Sequence, residues 1–424
     1  MIKFLTEKKN SNFMRLWSAQ LISQFGDRIH QLALVGLIAE RKGVSATSLA
    51  KLLAFTILPV FIIQPIAGVF VDRWDRRTTL FVCDLARGLL VLSIPLVFMH
   101  FDAMLPIYIV VFLAFCFSRF YVPAKMSIIP DIVEQESLIT ANSMVTSTGM
   151  IAFVMGCALG GVLVEGLGSR AGFIIDALSF FLSGGIVYSI ATKKPLKIDK
   201  DVILKKGKDL VGEIKQSVWA EFKEGFAYLF KNKEIRFIAS MLFVLLAAAG
   251  AIYVVIIVFI QHSFNSTTKH LGVLAVSLGV GLFLGVILYG RWGKKSSWQK
   301  TIFFCLVAGG IMLILFSIIV KAYPNIWIAM LLACFLGMIV GPIFIVSNTM
   351  VHVVSDDRMR GKVFSFLEIV IHFAFLTTML ISSWLAKYVS EQSILITTGL
   401  VFAFIGTIGY LRFTNPLFRG RVPN

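Results

Sequence analysis

The ten residues Gly68-Val-Phe-Val-Asp72-Arg73-Trp-Asp75-Arg76-Arg77 decide how this chain is read. They set two acids and three arginines between apolar runs at 49–71 and 78–99. Each run is close to the ~20 residues that a helix needs to cross a ~30 Å hydrocarbon core. So short a cluster of charge between two spans is a tight loop in water, and its arginines place it on the cytoplasmic face, where positive residues are retained. The residue types suit a contact between helices. Gly68 permits close approach, Asp72 can sit near the positive N-terminus of a facing helix, and Arg73, Arg76 and Arg77 can pair with acids across a bundle.

The pattern repeats on both sides of this loop. With 58% hydrophobic and 15% charged residues and a mean hydropathy of +0.86, a chain of 424 residues cannot form an ordinary soluble surface. Apolar runs of spanning length fall near 13–39, 49–71, 78–99, 104–125, 138–164, 169–191, 235–261, 271–291, 301–320, 325–350, 362–386 and 392–412. With the N-terminus inside, 31 of the 40 Lys and Arg fall in cytoplasmic segments. The predicted fold class is therefore an all-α membrane protein of twelve transmembrane helices with both termini cytoplasmic. The net charge of +17 reflects that topology and contact with anionic lipid. Basic residues scattered over seven loops exclude a nucleic-acid footprint. The first run follows Lys3, Lys8, Lys9 and Arg15 and has no short core with a cleavage site, so it is expected to stay as the first span. Cys83, Cys116, Cys157, Cys305 and Cys334 all lie in spans without paired spacing, and no metal or other cofactor is expected.

Three segments follow from the loop lengths: an N-terminal six-helix half at 1–191, a cytoplasmic linker at 192–234 and a C-terminal six-helix half at 235–424. Apolar residues at 218, 219, 222, 226, 229 and 230 recur at helical spacing, which predicts an amphipathic helix on the membrane surface within the linker. The halves echo each other. Pro123 is followed by a polar turn before Ala141-Asn142-Ser143, and Pro342 by Ser355 to Ser365 at similar spacing, while Gly290-Arg291-Trp292-Gly293-Lys294-Lys295 stands where a second copy of the charged loop belongs. Such repetition is the pattern of a carrier built from related halves. The chain contains no His-Glu-x-x-His, no Gly-x-Ser-x-Gly elbow and no phosphate-binding loop, so metal hydrolysis, acyl transfer and ATP-driven pumping lack their parts, and an enzyme is not expected.

On these residues the chain resembles the major facilitator superfamily over nearly its whole length. Its charged loop matches Gly-x-x-x-Asp-Arg-x-x-Arg-Arg at Gly68, Asp72, Arg73, Arg76 and Arg77, with Asp75 in place of the usual glycine. The resemblance implies a conformational latch on the cytoplasmic side, facing the start of the eleventh span near Gly361. Four further phrases are similar to the subgroup of macrolide-efflux proteins, siderophore exporters and the lysophospholipid transporter: Gln24-Phe-Gly26-Asp27, Pro130-Asp131-Ile-Val, Phe173-Ile-Ile-Asp176-Ala-Leu-Ser179-Phe and Arg360-Gly361-Lys362-Val-Phe-Ser365. Gly149, Gly156, Gly160 and Gly161 in span five resemble an antiporter motif, but Cys157 stands where that motif has proline. As a helix-packing stripe they still allow tight contact. The resemblance implies proton-coupled efflux of a hydrophobic or amphipathic small molecule by alternating access, with lysophospholipid transport as the alternative. It also implies a monomer in the bacterial inner membrane whose partners are its substrate and membrane lipid.

Ionisable residues inside spans point to mechanism, because an uncompensated charge in hydrocarbon costs several kcal/mol. Asp27 lies midway along span one beside Arg28 and is the leading candidate for coupling or substrate binding, with a structural pair to Arg87 as its alternative. Asp84 and Arg87 are three apart and can pair on one helix face. Glu368 and His372 are four apart, a spacing open to proton relay or to a simple polar pair. The 38 Phe and 15 Met suit an adaptable apolar cavity, and the few midspan charges argue against highly charged solutes.

Overall fold

In hydrocarbon no water satisfies the backbone, so each apolar run closes its own hydrogen bonds as a helix. The structure, a computed structural model, describes residues 10–43, 45–101, 103–190, 233–266, 268–292, 298–354 and 360–414. Its helices are α1 (Ser11–Lys42), α2 (Ala46–Ile62), α3 (Gln64–Arg73), α4 (Arg76–Leu96), α5 (Leu105–Ile132), α6 (Leu138–Tyr188), α7 (Lys233–Phe264), α8 (Lys269–Trp292), α9 (Trp298–Ala322), α10 (Ile326–Val354), α11 (Arg360–Leu385) and α12 (Glu391–Thr414). Among the described residues nine helices, α4 to α12, are long and apolar enough to cross a membrane. The expected linker helix at 218–230 lies outside the described residues.

Three expectations about boundaries are corrected. The second apolar run is divided between α2 and α3, because Pro65 in the first turn of α3 lacks the N–H that would continue the ladder. α5 does not end near residue 125: it runs through Pro123 and Pro130 to Ile132, one to two turns beyond the expected end. The connection expected at 165–168 between spans five and six narrows to a single-residue break. α6 runs through both and breaks only at Gly168, whose φ of 84° and ψ of 164° suit a residue without a Cβ.

The helices group into two units. The first comprises Met1–Leu37 and Lys51–Glu224, the second Ile38–Ala50 and Gly225–Asn424. In the first, α1 packs on the early part of α6, where a Cβ at Gly160 would lie 3.2 Å from Ile29 and Leu32 side-chain carbons. There α3 packs on α5, and α4 on both α5 and α6. In the second, α7 packs on α11, α8 on α10 and α9 on α12. Each unit thus pairs its first helical span with its fifth, its second with its fourth and its third with its sixth, the internal repeat expected from sequence. The second unit's helices touch backbone to backbone. Gly281 and Gly285 on α8 meet Gly337 and Gly341 on α10, and an added Cβ at Gly281 would lie 1.9 Å from the Cys334 carbonyl oxygen. Large side chains such as Leu89, Leu182, Phe304 and Phe404 are exposed, as lipid-facing surfaces require.

Candidate functional site

Two of the sequence phrases meet in space. A Cβ at Gly26 would lie 2.0 Å from Ser179 Oγ and 2.6 Å from Asp176 Oδ1, so glycine lets α1 touch the late part of α6. That contact sets His30 Nδ1 3.0 Å from Asp176 Oδ2 with both side chains buried, an ion-pair distance without hydrogen-bond alignment. Phe173 meets the imidazole edge-on at 5.4 Å and Phe115 lies 6.4 Å away, which keeps water from the pair.

A second cluster joins α4, α5 and α6. Arg87 pairs with Asp84 one turn earlier on α4, as the spacing predicts, and both are buried. Ser183 donates to the other Asp84 oxygen at 2.7 Å. The Arg87 guanidinium lies 4.4 Å from the Tyr121 ring centroid and 4.2 Å from that of Phe180, a cation–π sandwich that holds it in place while its Nε–H has no acceptor. The Tyr121 hydroxyl lies beside Ser183 and Ser23 without a hydrogen bond of good geometry. Lys125, one turn further along α5, is buried within electrostatic range of Arg87 and Asp27.

Asp27 stands between the clusters, partly exposed and in electrostatic range of Asp84, Arg87, Lys125 and Asp176. Unlike Asp84 and Asp176, it makes no hydrogen bond or ion pair among the described residues. Arg28 points elsewhere, as the ~100° between helix neighbours dictates: it donates to Gln31 at 3.0 Å, lies 5.0 Å from the Phe153 ring and packs on Gly156. Arg87 pairs with Asp84, the pair its spacing predicts, and the alternative Asp27–Arg87 pair does not form among the described residues.

The glycines of span five behave as a packing stripe. Gly156 and Gly160 face α1 at Arg28, Ile29 and Leu32, Gly149 faces Gln24, and Gly161 is buried beside them. On α11, His372 Nδ1 lies 2.7 Å from the Glu368 backbone carbonyl oxygen. Phe259 is buried against Phe316.

Of the latch residues, Gly68, Asp72 and Arg73 lie on α3 and Gly361 on α11, and their side chains fall outside the described ones. Arg76 pairs with Asp131 at the end of α5, and Arg77 donates to the Tyr188 carbonyl oxygen at the C-terminus of α6, which Arg15 also caps through Ser189. Asp75 explains its departure from the glycine of the related pattern: it N-caps α4, accepting from the Thr78 backbone N–H at 2.8 Å and the Thr78 hydroxyl at 2.7 Å. Asp75→Ala is expected to destabilise the protein by about 1 kcal/mol. A thermal melt in detergent that matches the wild type would show the cap to be idle.

His30, Tyr121 and Lys125 escape sequence reasoning. Tyr121 and Lys125 are four apart, one helix face, but Pro123 between them reads as the end of a span.

The fold, with these charges buried among long apolar helices, defines a class, the multi-pass helical membrane protein. Over 94% of its length the chain superposes on 98% of a bacterial homologue of the iron transporter ferroportin in its inward-facing state, with TM-score 0.73 at 12% identity. It does so over 96% of both chains on a POT family transporter in complex with 5-aminolevulinic acid, with TM-score 0.73 at 11% identity. The chain belongs to the transmembrane secretion effector family of the major facilitator superfamily, matching the family over residues 5–416. It is 26% identical over 416 residues to the uncharacterized MFS-type transporter YkuC of Bacillus subtilis (strain 168), covering 95% of this chain and 94% of that one. It is 28% identical over 310 residues to Macrolide efflux protein A of Streptococcus pyogenes (70% of each), and 22% identical over 325 residues to the putative bacilysin exporter BacE of Bacillus subtilis (72% of each). It is accordingly a multi-pass transporter of the cell membrane.

Proposed function

We propose that the protein exports a hydrophobic or amphipathic small molecule in exchange for protons by alternating access. The observation that carries this reading is Asp27, a mid-helix carboxylate without a direct partner among the described residues, next to an arginine already neutralised by Asp84. Such a group can exchange a proton, whereas Asp84 is committed to Arg87 and Ser183. Relatives named as a macrolide efflux protein and a bacilysin exporter support export. In this reading the chain crosses the membrane twelve times with both termini cytoplasmic: α2 and α3 form one crossing, α6 forms two on either side of Gly168, and every other helix forms one. The latch around Asp72 and Arg76 closes the cytoplasmic side of the outward-facing state.

The test is transport in proteoliposomes under an imposed pH gradient, with a macrolide or a fluorescent cationic dye offered beside labelled lysophospholipid. Gradient-driven drug movement is expected in the wild type and is expected to fall at least about tenfold in Asp27→Asn, the scale of one lost charge-dependent interaction. Undiminished gradient-driven transport by Asp27→Asn would refute the coupling role. Lysophospholipid movement without drug movement would transfer the protein to lipid transport.

A further inference from the structure

The charges around Asp27 leave two unmatched poles. On α5, Lys125 is 9% exposed and makes no hydrogen bond or ion pair among the described residues. One turn earlier on the same face, the Tyr121 hydroxyl makes no hydrogen bond, and on α4 the Arg87 Nε–H, stacked on the Tyr121 ring, has no acceptor. Three donors therefore gather from α4 and α5 without an acceptor at hydrogen-bond geometry, the Tyr121 hydroxyl having only the Ser183 and Ser23 hydroxyls beside it. Leaving a buried ammonium and a guanidinium N–H unmatched is costly, and such groups are retained where an anionic partner comes and goes. On α1, within electrostatic range of Arg87 and Lys125, Asp27 is an acceptor without a donor. Asp27 acts on Lys125 only through space, since no ion pair within 4.0 Å joins them.

We propose that these two poles form a binding site for a zwitterionic amphiphile, with the ligand's ammonium at Asp27 and its carboxylate at Lys125, the Tyr121 hydroxyl and the Arg87 Nε–H. The inference rests on the transport reading of Asp27: an ammonium arriving at the protonated Asp27 displaces its proton to solvent and leaves the carboxylate paired, which is the exchange that an antiporter needs. The donor pole adds selectivity, because a purely cationic ligand leaves Lys125 unmatched, and a purely anionic one leaves Asp27 unmatched. The zwitterion itself adds no net charge, so the only charge that leaves the low-dielectric interior on binding is the Asp27 proton, and the carboxylate it leaves behind is paired with the ligand's ammonium.

A matched series tests this with the full chain in lipid nanodiscs: Nε-dansyl-lysine, which carries both charges, its methyl ester, which keeps only the ammonium, and its Nα-acetyl derivative, which keeps only the carboxylate. Fluorescence titration of the wild type is expected to give the zwitterion about tenfold tighter binding than either derivative, one charge-assisted contact each. In Lys125→Gln the preference over the ester is expected to fall to about one, and in Asp27→Asn the preference over the acetyl derivative is expected to fall likewise. Lys125→Arg is expected to keep the preference over the ester, which separates loss of charge from loss of fold. Equal binding of zwitterion and ester by the wild type, or a preference that survives Lys125→Gln, overturns the site. Gradient-driven flux of the ester by the wild type is read in parallel: its absence sinks the transport reading, whatever the binding ratios, and its presence without a zwitterion preference sinks only this site.

Discussion

Arg87→Met is expected to be the most damaging single substitution in the first unit, at about 3–5 kcal/mol, because it strands the buried Asp84 carboxylate without its cation. The guanidinium also fills the space between Tyr121 and Phe180, so the loss includes two cation–π contacts that methionine replaces only by dispersion. The check is a double-substitution cycle. Asp84→Leu combined with Arg87→Met removes both charges and leaves no uncompensated ion, so it is expected to recover most of the lost stability, although Ser183 then loses its acceptor. Melting temperatures by fluorescence-detected size exclusion report the four proteins. A double variant no more stable than Arg87→Met alone would mean that the pair holds the helices by shape rather than by charge.

The second large effect is expected at the crossing of α8 and α10. Gly281→Ala adds one carbon where the Cys334 carbonyl oxygen would stand 1.9 Å away, and from the other side a Cβ added at Gly337 would stand 2.2 Å from the Leu278 carbonyl oxygen. Backbone cannot rotate aside as a side chain can, so the helices must separate and the neighbouring glycine contacts open with them. The expected cost is at or above the ~1–3 kcal/mol typical of overpacking. Gly166→Ala in α6 is the control: nothing lies within 4 Å of its added Cβ, and alanine's helix propensity should leave the protein unchanged or stabilised by about 0.5–1 kcal/mol. Equal melting temperatures for Gly281→Ala and the wild type would show that these helices are not held at backbone contact.

The residues divide according to how local their information is. Helical spans can be read from sequence because the requirement behind them, about 20 consecutive residues able to live in hydrocarbon, is a sum along the chain. The Asp84–Arg87 pair can be read for the same reason, since a spacing of three places both side chains on one helix face whatever packs against it. The repeat, the glycine stripe of span five and the charged loop are likewise written in spacing. Prolines mislead where they stand near polar residues. Pro123 and Pro130 read as a span ending, yet α5 continues through both, because neighbouring helices in a bundle can hold a helix that an isolated chain would break there.

Spacing along the chain was enough for the helices and their apolar faces, and for the ion pair that a single helix can make with itself. The tertiary structure alone decided which charge lacked a partner. Gly26 brings α1 against Asp176 and Ser179, Arg87 is taken by Asp84, and Asp27 and Lys125 are left on different helices within electrostatic range of each other. The pairing of a buried charge depends on the depth and angle at which separate helices cross, and residues nearly a hundred positions apart along the chain set that geometry together.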